Sequence, residues 1–257
     1  MRVAFTIIFN GLHHLRHNDY FAKIRGSLDY WVFVEGPTKP GGSTAWCKPI
    51  PSVYLKGVHS TDGTLEFLRE ESWKGPKILL IEKERFWDSK DEMVNAALDA
   101  LRKREIKSAY LWEIDADEQW DSKDLLLAEA TLDYNRCDTG KFLCDYYVGP
   151  GLIAKGDWGE GKKLPYYRLW RWAGERFISH EPPVLSGKRY EVLLPVRFKH
   201  YAYLFEEDVR FKECFYSGHE NILSKWLALQ KETKFPQPVS RLISGAWGKT
   251  ATTIHRI

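Results

Sequence analysis

A chain of 257 residues, 44% hydrophobic and 28% charged, has the composition of a soluble globular protein long enough to bury a substantial core. A net charge of +3 and a pI near 8.5 are too mild for the clustered basic face of a nucleic-acid binder. No stretch approaches the roughly 18 apolar residues of a membrane span, and Cys47, Cys137, Cys144 and Cys214 form no C-x-x-C pair. These features exclude a zinc ribbon and a dithiol redox motif, and point to reduced thiols in a cytoplasmic protein.

The chain opens directly on a β-branched and aromatic run, VAFTIIFN at 3–10, closed by Asn-Gly: a strand and a turn, with no apolar leader ahead of it. Residues 18–25 space Tyr20, Phe21 and Ile24 as on a helix, and YWVFV at 30–34 is a continuous apolar strand ending in Glu35. Strand, helix, strand within 35 residues predicts a βαβ unit and a parallel sheet. A Gly- and Pro-rich loop over 36–60 is followed by a helix at 61–71 and a third strand at 77–81. Residues 88–104 form an amphipathic helix with Met93, Ala97, Ala100 and Leu101 on one stripe. Ser89 and Glu92 have the spacing of a capping box at its start.

A fourth strand, 109–114, runs into the acidic cluster Asp115, Asp117, Glu118, and a helix from Asp121 or Ser122 to Tyr134 follows. Strand character resumes at 141–148, 166–172 and 192–203, and 208–231 is helical. The glycines and lysines of 149–163 predict a flexible surface loop that could serve as a lid. The Pro- and Gly-containing last 25 residues predict a tail that wraps the body or is partly mobile. No repeat and no clean linker interrupts this order. The expectation is one domain over 1–257, with a nucleotide-binding half (1–120), an acceptor and catalytic half (121–232) and a tail (233–257).

The acidic cluster poses the chemical question. Residues two apart on an extended backbone point to one side, and open α/β sheets bind ligands at the carboxyl ends of their strands. Asp115 and Asp117 on one face there would make a site for a hard divalent cation. Glu118 points the other way and supports the turn. The plain alternative is a solvated strand-to-helix turn.

The surrounding segments resemble the nucleotide-sugar-binding half of GT-A glycosyltransferases, especially family 2. There an R-N-bearing helix precedes an apolar strand ending in D-x-D; here MVNAALDAL precedes AYLWEIDADE, with Val94 in place of the arginine and Asn95 at the asparagine. YYRLWRWAGERFISHEPPVL (166–185) and FKHYAYLFEEDVRFKECFY (198–216) resemble later family segments, with Ala202 replacing a usual Gly. The first two strands and their loop also resemble family 17 N-acetylglucosaminyltransferases.

The resemblance covers roughly residues 1–220 and implies an α/β fold of GT-A type: a mostly parallel central sheet flanked by helices, with a mixed-strand acceptor-side region. It implies transfer of a sugar from a nucleotide-diphosphate sugar to an acceptor hydroxyl of a glycan, lipid or small molecule. The ion would be Mn2+ or Mg2+, with Asp115 near ribose and metal, Asp117 a ligand and His200 a third ligand. Inversion needs a general base, for which Glu181 is chosen, with His180 orienting it or touching the diphosphate. Of Arg168 and Arg171 only one can face the site, and Arg168 is favoured as the phosphate partner. Glu35, Asn10 and Phe9 would line the base and ribose pocket. Trp46, Trp158 and Trp170 are sugar-stacking candidates, although core burial is the commoner fate of a tryptophan. A homodimer is compatible with all of this. The competing readings are a nucleotidyltransferase and a non-catalytic nucleotide-sugar-binding relic. FNGLHHLRHN fits poorly the Gly-rich, basic stretch of the first, and the presence of Asp115, Asp117, Glu181 and His200 together argues against the second.

Overall fold

The computed structural model describes residues 1–39, 47–156, 165–187, 189–243 and 251–257. Strand β1 (Arg2–Ile8) leads through the short helices α1 (Leu12–Arg16) and α2 (Tyr20–Arg25) to β2 (Tyr30–Glu35). Helix α3 (Thr64–Trp73), β3 (Ile78–Ile81), α4 (Lys90–Lys103) and β4 (Ala109–Glu113) follow. Then come β5 (Glu118–Gln119), α5 (Ser122–Tyr134), β6 (Thr139–Gly149), β7 (Leu152–Gly156) and β8 (Tyr166–Trp172). The remainder is β9 (Phe177–His180), β10 (Pro183–Leu185), β11 (Glu191–His200), α6 (Glu206–Phe215), α7 (Ile222–Gln230), β12 (Gln237–Pro238) and β13 (Ala251–Arg256).

One 11-stranded sheet, in the order β12-β13-β7-β6-β8-β4-β1-β2-β3 with β11 on β6 and β5 on β11, runs through both halves of the chain. The strands β4, β1, β2 and β3 are parallel neighbours, as the βαβ pattern predicts. Beyond β4 the sheet becomes mixed: β8 is antiparallel to β4 and to β6, while β11 is parallel to β6. Two reversals therefore return β6 and β11 to the direction of β4. The carboxyl ends of β1, β4, β6 and β11 and the amino end of β8 all meet at one edge of the sheet, and that edge holds the site.

The parallel strands are buried on both faces, which is why they read as unbroken apolar runs. Alternate side chains enter separate cores: Ala4, Trp31, Phe33 and Trp112 on one face, Val3, Phe5, Val32, Val34 and Leu111 on the other. Helix α4 covers the second face with Met93, Val94, Ala97, Leu98 and Leu101. Opposite it, Trp112, Trp120, Phe142 and Phe198 pack with ring centroids 4.6–5.6 Å apart, within the range for favourable aromatic pairs. Trp170 is buried edge-on against Phe177 and is a core residue rather than a sugar platform. Trp46 and Trp158 lie outside the described residues.

Three segments differ from the sequence reading. The 12–16 stretch forms a helical turn instead of a plain turn, because Leu12 and Leu15 bury on one side; five residues are too few to show a period. Within the expected 149–163 loop, 152–156 is strand β7, between β6 and β13; residues 157–163 are outside the described set. The tail ends in β13, whose Ile254 is fully buried. The β7–β13 pairing joins residues about a hundred apart, so local pattern carries no trace of it, whereas β6 and β7 form a local hairpin.

The capping box of α4 forms, with Glu92 N–H donating to Ser89 Oγ at 3.1 Å. The Glu92 carboxylate reaches back one residue further than expected, to Asp88 N–H at 2.7 Å. Ser89→Ala is expected to cost about 1 kcal/mol in a urea titration, and Ser89→Gly only a few tenths. A Gly variant as damaging as the Ala variant would mean the cap is not what holds this helix start.

Candidate functional site

The converging strand ends floor a cavity of about 1090 Å³. Its wall carries five carboxylates (Glu113, Asp115, Asp117, Glu181, Asp208), three fixed cations (Lys90, Arg168, Lys212) and four histidines (His14, His180, His200, His219). Tyr146, Tyr166, Tyr203, Phe215 and Tyr216 supply flat apolar surface. The wall thus offers a ligand both charged groups and flat apolar surface.

Asp115 and Asp117 both line this cavity, but not as two teeth of an extended strand. Strand β4 stops at Glu113, and Glu118 N–H donates to the Asp115 carbonyl at 3.0 Å, so 115–118 is a tight turn. The two carboxylates consequently find different partners. Asp115 Oδ2 accepts from Arg168 Nη2 at 2.7 Å, whereas Asp117 Oδ2 faces His200 Nε2 at 3.5 Å. Burial pushes both acids up; for Asp117 the nearby His200 overrides this and the net direction is down, while Asp115, beside Glu113 and Asp117, stays raised. Of the two, Asp117 is the acid whose surroundings favour the charged form more.

Glu118 turns inward, fully buried, and does not line the cavity. It accepts from Arg168 Nε at 2.8 Å and from Trp120 Nε1 at 3.2 Å. Arg168, only 6% exposed, also lies 3.6 Å from Glu113. One guanidinium therefore serves two buried carboxylates, Glu113 and Glu118, and the half-buried Asp115. Burial, with Asp115 adding like charge, pushes the Glu118 carboxyl up to about 8 against the pull of Arg168. Arg171 turns to the opposite side of the sheet and pairs with Asp133.

His180 sits at the end of β9, where its backbone N–H donates to Asp91 Oδ1 at 2.7 Å and its Nε2 lies 2.8 Å from Glu113 Oε1. Burial pulls the imidazole down, but Glu113 raises it by more, so the net shift is upward; Glu113 moves down in turn. The raised histidine contributes stability below about pH 6.5, lost as pH rises through its folded value; the depressed Glu113 contributes above about pH 4.3, lost on acidification. The pair is most stabilising between those limits. Glu113→Gln is expected to lower the His180 pKa, read from its ring-proton NMR titration; an unmoved titration would remove Glu113 as the cause.

Glu181 and the cis Glu181–Pro182 peptide form the tip of the β9–β10 hairpin, and the Glu181 carboxylate pairs with Lys90 from the first turn of α4. Phe9 and Asn10 line the cavity, although the Asn10 amide is engaged with Tyr54 O at 2.9 Å and Thr61 N–H at 2.7 Å. Two expected contacts are not brought to the cavity. Glu35 is fully buried and accepts from Ser60 N–H and Oγ–H at 2.9 and 2.7 Å, with His59 Nδ1 at 2.7 Å; Ser60 Oγ in turn receives Asn10 N–H. Asn95 bonds both ways with the Phe177 backbone at 3.0 Å, tying α4 to the hairpin. Both act as supports one step behind the wall, because β2 and the middle of α4 end short of the cavity.

The expected ligands Asp115, Asp117 and His200 do not converge on a point. Among the described residues, the group whose donor atoms all lie within 4.8 Å of one another is His13, His14 and Asp208. Of the proposed metal residues, Asp117 and His200 fit a cation best, since Asp117 Oδ2 and His200 Nε2 face each other at 3.5 Å on the cavity wall. Asp115 is drawn to Arg168 instead. Sequence reading passed over Glu113, Lys212 and Asp208. Glu113 carried a signal, an acid inside the apolar run YLWEI; the others carried none without the fold.

No family model matches the chain, and no curated protein does. Among solved structures it is similar to S. aureus TarS 1–349, with a TM-score of 0.46 and 14% identity over 89% of this chain and 70% of that one. The same fragment in complex with UDP-GlcNAc matches with a TM-score of 0.45 and 15% identity, over 83% of this chain and 65% of that one. 4-Diphosphocytidyl-2C-methyl-D-erythritol synthase matches with a TM-score of 0.38 and 12% identity, over 67% and 75%. No helix among the described residues is long and apolar enough to cross a membrane.

Proposed function

We propose that this chain is a GT-A-type glycosyltransferase that moves a sugar from a nucleotide-diphosphate donor to an acceptor hydroxyl in the 1090 Å³ cavity. The observation that supports the reading most is Asp117 facing His200 at 3.5 Å on the cavity wall, beside the carboxyl ends of β4 and β11. In this reading Asp117 and His200 would hold Mn2+ or Mg2+, with Asp115 on the ribose side. Such an ion, when bound, offsets the negative charge that builds on the departing diphosphate. Lys212 and Lys90 add cationic character to the same wall. Arg168 is proposed as the group that holds the Asp115 turn in shape; its three carboxylate partners occupy the donors a phosphate would need.

Glu181 is the proposed general base. It stands on the hairpin tip, and Lys90, on one of its oxygens, fixes it in direction while the other oxygen can accept the acceptor proton. His180, anchored by Glu113 and Asp91, positions that tip. Inversion follows if a single displacement occurs with Glu181 on the acceptor side.

The reading is tested by calorimetric titration of UDP-, GDP- and dTDP-sugars with and without Mn2+. At least one should bind, more tightly with the metal, and Asp117→Ala should abolish the metal dependence. Binding that ignores both the metal and Asp117→Ala would overturn the site assignment; binding without any release of nucleoside diphosphate would favour the relic.

A further inference from the structure

His13 and His14 are neighbours on α1, and Asp208 lies in the first turn of α6. Adjacent residues on a helix diverge by about a quarter turn, yet both imidazoles reach one carboxylate. His13 Nε2 lies 3.0 Å from Asp208 Oδ1, and His14 Nε2 lies 3.0 Å from Oδ2. The two rings stand 4.2 Å apart, and Phe205 packs edge-on against both. All three donor atoms fall within 4.8 Å of one another.

The two contacts differ in kind. His13 and Oδ1 are aligned as a hydrogen bond. The buried Oδ2 has no hydrogen-bond partner, although the His14 nitrogen is only 3.0 Å away. At 3.0 Å the His14 nitrogen and Oδ2 are close but outside good hydrogen-bond alignment, a spacing that two ligands of one metal ion also have. A cation between them resolves the contact. The surroundings favour positive charge, since Glu207 and Asp62 add negative potential around His13, opposed by Lys212 one turn along α6.

We propose that His13, His14 and Asp208 form a second metal site, separate from Asp117 and His200, that takes a borderline-soft divalent ion of the Zn2+ class. Two imidazoles and one carboxylate suit zinc better than magnesium, and three protein ligands leave a fourth tetrahedral position open. His14 and Asp208 also line the central cavity, so the open position can take water or a ligand oxygen from it. The ion ties the segment after β1 to α6, across the two halves of the chain. This inference stands whether or not the chain transfers sugar.

The test is a Co2+ titration of the full chain, followed by the visible absorption of a tetrahedral site and by displacement with Zn2+. Wild type should bind one Co2+ with that absorption, and Zn2+ should remove it. His13→Gln and Asp208→Asn should weaken binding by at least about 100-fold, beyond the 10–100-fold typical of groups behind the ligands. Asp117→Asn should leave the absorption unchanged. His13 is partly exposed, so its Gln variant should keep the wild-type far-UV circular dichroism, which separates lost binding from lost fold. Absence of the absorption in wild type, unchanged titration of both ligand variants, or loss of the absorption in Asp117→Asn would each overturn the proposal.

Discussion

Arg168→Met is expected to destabilise the protein by about 3–5 kcal/mol at neutral pH, the usual consequence of removing one partner from a buried charge cluster. The guanidinium sits among Glu113, Asp115 and Glu118, and Glu118 has no access to solvent. Methionine fills much of the volume but leaves three acids facing one another. They then ionise less readily in the folded state than in the unfolded one. A carboxyl raised on folding binds more protons folded than unfolded, so its contribution is present below about pH 4 and is lost as pH rises through the folded value. The penalty of the substitution should therefore grow from pH 4.5 to pH 7.5. Urea midpoints of both proteins at the two pH values check this. A penalty below about 1 kcal/mol, or one independent of pH, would show that Arg168 does not neutralise the cluster.

Glu181→Gln is expected to lower kcat by about 10²–10⁴, the range for a lost general base, with the donor KM little changed. The amide keeps the shape of the hairpin tip and cannot take a proton. Release of nucleoside diphosphate from the donor that binds provides the assay. Lys90→Met makes a useful companion, because it frees the Glu181 carboxylate from its ion pair. It should lower kcat by less than Glu181→Gln does, since it frees the base in direction without removing it. Near wild-type turnover of Glu181→Gln would remove Glu181 from the base role and leave the donor site untouched.

Much of the architecture was legible in the residues. The runs VAFTIIF, YWVFV, KILLI and AYLWE are continuous because the strands are covered on both faces, and the α4 stripe repeats because one side of a helix meets the sheet. Ser89 and Glu92 were readable because a cap acts over three residues; α5 starts at Ser122 as expected, although Asp121 makes no side-chain cap hydrogen bond there. The site was readable only in part. D-x-D marked a strand end that lines the cavity, yet a period of two could not foresee that 115–118 closes as a turn, giving Asp115 to Arg168 and Asp117 to His200.

The amino-acid sequence by itself determined the strands of the parallel half, its helices and the strand end where the acids gather, since each is written in a local apolar run or helical period, even though β1 and β4 pair across about a hundred residues. The tertiary structure alone decided which charges meet. Glu113 with His180, Arg168 with Glu118 and His14 with Asp208 are separated by 67, 50 and 194 residues. Such pairs are set by the two reversals that bring β6 and β11 parallel to β4, and by the cost of leaving any of those charges buried alone.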